Sequence, residues 1–186
     1  MKISYLFLAP GFEEIEALTV VDIMRRAGLD VRTVSILDGQ YVVTGAHGIQ
    51  VAADLLMPEV ETESAEWLII PGGMPGATNC AACSPLTAML VDHYKKGGKI
   101  AAICAAPAVV LAPLGIFVGK EATCYPGFEN ALTKGGMTAN GDRVVSLPQL
   151  ITANGPASAM AFALSIVSNS CGQGVAEDVA AGLLYK

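Results

Sequence analysis

The chain reads as an α/β protein: a mostly parallel sheet with helices on both faces and a small antiparallel excursion. Three observations carry this. Short aliphatic runs alternate along the chain with runs of helical length and periodicity, the order that gives parallel strands joined by helices. Residues are 53% hydrophobic but only 6% aromatic. The excess is therefore Ala, Val, Ile and Leu, the composition of strands buried on both faces. Gly and Pro pairs fall at the junctions between runs and punctuate them. The 186 residues suit one domain spanning 1–186, with no linker, repeat or low-complexity segment.

The elements follow in order. Ile3–Ala9 is a strand that ends at Pro10-Gly11. Glu13–Ala27 is a helix stopped by Gly28, a residue suited to a left-handed C-cap. Val31–Leu37 is the second strand. Asp38-Gly39 is a turn signal, and Tyr41–Val43 pairs with Ile49–Ala52 as the antiparallel excursion. Trp67–Ile70 is the third main strand, ending at Pro71-Gly72-Gly73. Pro85–Lys96 is an amphipathic helix closed by Gly97-Gly98. Ile100–Ile103 is a strand running into Cys104, and Ala108–Ala112 begins a helix after Pro107. Arg143–Ser146 and Leu150–Thr152 are strands, Ser158–Ser168 a helix opened by Gly155-Pro156, and Val175–Leu183 a final helix.

Composition excludes several classes of function. Net charge is −6 with no basic cluster, which argues against nucleic acid and anionic membrane as partners. No apolar stretch reaches the roughly 18 residues of a membrane span. The N-terminal nine residues read as a strand rather than a secretory leader. Five cysteines are an odd count. Cys80 and Cys83 form a Cys-x-x-Cys without a second ligand pair or a neighbouring His, so no metal site is expected there. They read as loop or helix-start thiols, and free thiols suit a reducing cytoplasm. No dinucleotide fingerprint or phosphate-loop lysine is present, and no cofactor is expected.

In a parallel α/β sheet, sites form at the carboxyl ends of the strands. That brings Pro10–Glu16, Gly72–Gly76, Cys104–Ala106 and Asn154–Pro156 to one rim. Cys104 sits at a tight strand-to-helix junction, the setting of a nucleophile elbow. Near a helix N-terminus its pKa is expected to fall toward the reactive range. A buried cysteine at a crowded turn is the alternative. Glu16 lines up at helical spacing with Val20, Ile23 and Ala27, an apolar stripe, where a carboxylate must be paired or protonated. Glu13 and Glu14 are explained by the helix macrodipole. Gly72 and Gly73 leave backbone N–H groups free to face an anion. His93 reads as part of a solvated helix face, and His47 lies in a turn. The first helix carries Ile15, Ala17, Leu18, Val20, Val21, Ile23 and Met24 around much of its circumference. It either wraps internally against the excursion or supports a two-fold dimer.

These residues, taken together, resemble the ThiJ/PfpI superfamily, in its branch of Parkinsonism-associated deglycases. The likeness runs through Leu8-Ala9-Pro10-Gly11-Phe12-Glu13-Glu14-Ile15-Glu16, then Asp22–Gly28, Ile70-Pro71-Gly72-Gly73 and Gly76-Ala77. It continues in Ala101-Ala102-Ile103-Cys104-Ala105-Ala106-Pro107, Gly155-Pro156 and Ala161–Leu164. The resemblance implies a flavodoxin-like sandwich and a homodimer. It implies that Cys104 is the nucleophile, that Glu16 is a protonated carboxyl bonded to its sulfur, and that backbone N–H groups at Gly73 and Ala105 receive negative charge. It places Gly72, Tyr125, Asn154 and His47 at the pocket. His47 stands where a relative carries an Arg from the partner subunit. Tyr125 replaces a His that many members carry, which removes the base a peptidase needs.

Two functions follow as expectations. One is a glyoxalase- or deglycase-like enzyme acting on small α-oxoaldehydes or their adducts, with Cys104 as nucleophile and Glu16 as proton shuttle. The other is a non-catalytic redox sensor or stress chaperone that works through oxidation of Cys104.

Overall fold

The computed structural model describes residues 2–186; Met1, the first residue of the N-terminal run, lies outside them. The strands are β1 (Ile3–Leu8), β2 (Asp30–Ser35), β3 (Val42–Thr44), β4 (Gln50–Ala52), β5 (Leu55–Leu56), β6 (Ala65–Ile70), β7 (Lys99–Ile103), β8 (Glu121–Ala122), β9 (Thr138–Ala139), β10 (Val144–Ser146) and β11 (Leu150–Ala153). The helices are α1 (Glu14–Arg26), α2 (Gly76–Ala82), α3 (Ser84–Lys95), α4 (Glu129–Lys134), α5 (Ala159–Cys171) and α6 (Gln173–Gly182). Seven strands form the main sheet in the order β10-β11-β7-β6-β1-β2-β5. All neighbours are parallel except β10 against β11. The run β2-β1-β6-β7-β11 has the strand order of a flavodoxin-like sheet, whose crevice opens where the order reverses, between β1 and β6. β3 and β4 form the expected antiparallel excursion.

Strand alternation divides the core into two layers. Tyr5, Phe7, Leu68, Ile70, Ile100 and Ala102 face one side and pack with Leu86 and Leu90 of α3. Leu6, Leu8, Trp67, Ile69, Ala101 and Ile103 face the other. There they meet Val20, Ile23 and Met24 of α1 and Phe162 and Ile166 of α5. Both faces of the central strands are therefore apolar, which explains their unbroken aliphatic runs.

The structure departs from the sequence reading at several points. The helix expected over Ala108–Ala112 is a π-helical turn, Pro107–Leu111, followed by a 3-10 turn at Ala112–Leu114. Helix α2, placing Cys80 inside it and Cys83 at its end, was not anticipated. Neither were the edge strand β5, helix α4 or the short β8–β9 pair. These elements are short, and no hydrophobic period of either kind marks them.

His93 is not on a solvated face. It is buried, its Nε2 lies 3.3 Å from the Glu66 carbonyl, and a side chain at Gly98 would collide with its ring. Burial holds its pKa below the ordinary 6.5, although the carbonyls of Glu66 and Lys99 and the charge of Asp92 act the other way. The folded imidazole therefore resists a proton that the unfolded one accepts near pH 6.5, and stability must drop as pH falls through that value. Urea unfolding between about pH 7 and pH 5 should show this loss, and His93→Asn should flatten it. An identical pH slope in the variant would contradict the assignment.

Candidate active site

Strands β1, β6, β7 and β11 are neighbours, so the loops that leave their carboxyl ends converge. The loop after β1 is pinned from both sides. Its Gly11 and Phe12 exchange hydrogen bonds with Thr44 and Ala46 of the excursion, at 2.8 Å each. On the other side, Glu13 N–H donates to the Gly72 carbonyl and Gly76 N–H to the Gly11 carbonyl.

Cys104 follows β7 directly and adopts φ +64. For a residue with a side chain, this left-handed conformation costs about 1–2 kcal/mol. It persists because both backbone groups are held: Cys104 N–H donates to the Ala153 carbonyl, and the Cys104 carbonyl accepts from Tyr125 N–H, each at 2.8 Å. The elbow expected from the sequence is present. Gly72 lies beneath it with no room for a side chain. An added Cβ would sit 2.5 Å from the Cys104 Cβ and 2.7 Å from Glu16 Oε2. Gly73, at φ +87, lets its N–H point at the sulfur, where Ala105 N–H also points.

Glu16 is fully buried, at 0% exposure, on the first turn of α1. Its Oε2 accepts a 2.7 Å hydrogen bond from Gly72 N–H. Its Oε1 has no regular hydrogen-bond partner among the described residues. Burial pushes the carboxyl up to about 7, helped by the nearby charge of Glu13; Gly72 N–H and the Cys104 side chain oppose the rise. The expected fall in the Cys104 pKa is not found. Burial pushes the thiol up to about 12 while the Glu16 carboxylate stands beside it, and the N–H groups of Gly73 and Ala105 only partly counter this. The reason is local. The turn after Cys104 is five residues of π-helix, too short to supply a macrodipole, and the sulfur faces an acid instead of water. Cys104 and Glu16 thus form one coupled acid that loses its first proton near pH 7 and its second near 12.

The remaining pocket candidates are placed differently. Tyr125 is half-exposed, contacts Cys104 through its backbone, and lays its ring over Gly155. Asn154 turns its Oδ1 to Ser158 Oγ, 2.6 Å away. It lines a cleft of about 190 Å³ with Thr123, Cys124 and Glu129, in which Cys104 takes no part. His47 is drawn to Glu14 instead: its backbone N–H donates to Glu14 Oε1 at 2.8 Å, and its ring Nδ1 lies 2.9 Å from Oε2. Glu14 is consequently more than a helix-start acid. Burial would raise its pKa, but the hydrogen bonds from His47 and Ile49 hold it below the ordinary carboxylate value. Nothing in the sequence links residues 33 positions apart, so this contact had no signal to reveal it.

Comparison with known proteins gives a consistent result. The sequence signature of the DJ-1/PfpI family matches residues 2–169. Protein DJ-1 homolog B of Arabidopsis thaliana is 35% identical over 179 residues, 96% of this chain. The chain spans less than half of the Arabidopsis relatives, 40% of homolog B and 45% of homolog A. The Caenorhabditis elegans protein named glutathione-independent glyoxalase DJR-1.2 is 37% identical over 167 residues, 89% of this chain and 87% of that one. The solved structure of oxidized Toxoplasma gondii DJ-1 superposes with a TM-score of 0.93 at 38% identity, covering 100% of this chain and 99% of the other.

Proposed function

The chain belongs to the DJ-1/PfpI family, and from that premise we propose that it is a cysteine-dependent glyoxalase- or deglycase-like stress protein. The observation that carries the reading is the unpartnered Glu16 Oε1 beside Cys104. When the pair has lost one proton, the charge can rest on carboxylate or sulfur. On the carboxylate it leaves Oε1 with only the weak Cys104 S–H as a donor. On the sulfur it is met by the N–H groups of Gly73 and Ala105 and by the Glu16 O–H. The second arrangement replaces that weak S–H donor with an O–H and two backbone N–H groups, and it is the one that supplies the thiolate the reaction uses.

The chemistry then balances without a cofactor. The Cys104 thiolate adds to the aldehyde carbon of an α-oxoaldehyde, and Glu16-H gives its proton to the new alkoxide, forming a hemithioacetal. The Glu16 carboxylate next removes the proton from that carbon and returns it to the adjacent one, while the hydroxyl proton of the first carbon passes to the oxygen of the second. The resulting thioester is hydrolysed by water, which releases a 2-hydroxy acid and the thiol. The nematode relative named a glyoxalase agrees with this reading. Peptide hydrolysis would need a base able to protonate a leaving amine, usually His, and Tyr125 stands where many members carry that His.

A second reading has its own support. The same donors would hold a Cys104 sulfinate, and the Toxoplasma relative was solved in an oxidized form. In that case the protein senses oxidants and turns nothing over. We also propose a two-fold homodimer through α1. Ile15 is 57% exposed there beside the exposed Leu18 and Ile49, so the helix is not wholly internal.

Methylglyoxal turnover decides between the readings. Wild type should form lactate, Cys104→Ser should form none, and Glu16→Gln should lose at least the roughly hundredfold typical of a general acid–base. A fluorogenic peptide panel should stay uncut. Absence of turnover, with peroxide converting Cys104 to sulfinate, would replace the enzyme with the sensor. Light scattering at micromolar concentration should report twice the chain mass, and a clean monomer would remove the dimer.

A further inference from the structure

We infer that Cys80 and Cys83 form a second redox site, a dithiol that hydrogen peroxide closes to an intramolecular disulfide and a small thiol reopens. The pair spans the junction of two helices. Cys80 lies in the last turn of α2, and Cys83 both ends α2 and opens α3. The turn between them is closed: Cys83 N–H is shared by the carbonyls of Asn79 and Cys80, at 3.1 and 3.2 Å. Residues three apart on a helical turn stand about 5–6 Å apart at Cβ, and a disulfide needs roughly 3.5–4.5 Å. Inside a continuous helix the hydrogen-bond ladder on both sides would resist that approach. Cys83, with an extended ψ of 93, interrupts the ladder, so the junction can supply the shift. Ala81 and Ala82 add no bulk to the turn. Burial pushes the Cys80 thiol up to about 12, and the charge of Cys83 pushes the same way, which a distant thiol would not do.

The two thiols differ as stepwise oxidation requires. Cys80 is 1% exposed, whereas Cys83 is half-buried and within reach of solvent. The Cys83 sulfur takes one oxygen of hydrogen peroxide, and the other leaves as water. The Cys80 sulfur then attacks the Cys83 sulfenic sulfur. The S–O bond breaks, and hydroxide leaves with the Cys80 proton as a second water. A small thiol reverses the bond by attacking the more exposed Cys83 sulfur and returning Cys80 as a thiol. A second small thiol then frees Cys83.

The site stands apart from Cys104. Cys80 packs in the core layer with Phe7, Leu86 and Leu90, and Cys104 belongs to the layer on the other face of the sheet. Helix α1 packs on that other face too, which keeps the proposed dimer contact away from Cys83. Small thiols do not undo a sulfinate, but they do undo a disulfide. The pair therefore gives the chain a reversible response to oxidant, whatever Cys104 does.

The test uses the full-length protein carrying Cys104→Ser, which leaves four of the five cysteines. Reduced protein is treated with hydrogen peroxide, denatured, blocked with N-ethylmaleimide and digested with trypsin. The peptide Thr33–Lys95 holds Cys80 and Cys83 and no other cysteine. It should appear unlabelled and lighter by two hydrogens, and the four free thiols should fall to two. Dithiothreitol before blocking should restore both labels. Cys83→Ser in the same background should leave Cys80 fully labelled. Cys80→Ala should leave a Cys83 sulfenic acid that dimedone captures. Circular dichroism verifies that both variants remain folded. Four results would each overturn the site: both cysteines still labelled after excess peroxide, a Cys83 sulfinate beside a free Cys80, pairing of either with Cys124 or Cys171, or a bond between two chains.

Discussion

Two acids buried against each other can hold one negative charge between them, and much of this molecule serves to decide where that charge rests. Cys104 and Glu16 share a space closed by Gly72 on one side and the ends of β7 and β11 on the other. Each would ionise freely in water. In the protein, desolvation raises both, and the Glu16 charge raises the thiol further, whereas the Cys104 side chain lowers the carboxyl. The backbone N–H groups of Gly72, Gly73 and Ala105 supply the compensating donors. They are fixed dipoles, so they cost no reorganisation when charge moves from carboxyl to sulfur.

That arrangement dictates the backbone around it. Gly72 and Gly73 have no side chains because Cys104, Glu16 and the loop after β1 occupy the volume. Cys104 accepts a left-handed φ because Ala153 and Tyr125 hold both its backbone groups. The flavodoxin-like strand order supplies the rest, since it sets the ends of β1, β6, β7 and β11 side by side. A fold built from local βα units thereby assembles residues as far apart as Glu16 and Cys104 with no long-range instruction beyond strand order.

How much of this is legible in the sequence depends on the range of the interaction. Glu16 stands out because a carboxylate in register with Val20 and Ile23 has to be buried, and it is. Cys104 stands out because an aliphatic strand ends on it and small residues and a proline follow. The direction of its pKa was not readable, since it depends on the facing acid and on a turn that winds as π-helix. Asn154 does sit at a strand end, but its side chain is taken up in accepting a hydrogen bond from Ser158 Oγ. His93 lies in a polar stretch, Asp92–Lys96, and only the packing of α3 on Glu66 and Gly98 buries it. Glu14 has a sufficient local explanation at a helix start, which concealed its contact with a turn 33 residues away. Periodicity reports the face a residue occupies, not the group that comes to meet it.

The central claim is that Cys104 and Glu16 titrate as one acid, with the first charge carried by the sulfur. The pH dependence of Cys104 alkylation by iodoacetamide, corrected with Cys104→Ser for the other thiols, tests it most directly. Wild-type reactivity should rise with an apparent pKa near 7, the value at which the pair gives up its first proton. In Glu16→Gln the rise should move above the ordinary thiol value of 9.0, because burial remains and the shared proton is gone. A wild-type midpoint at or above 9.0, unmoved by Glu16→Gln, would contradict the account.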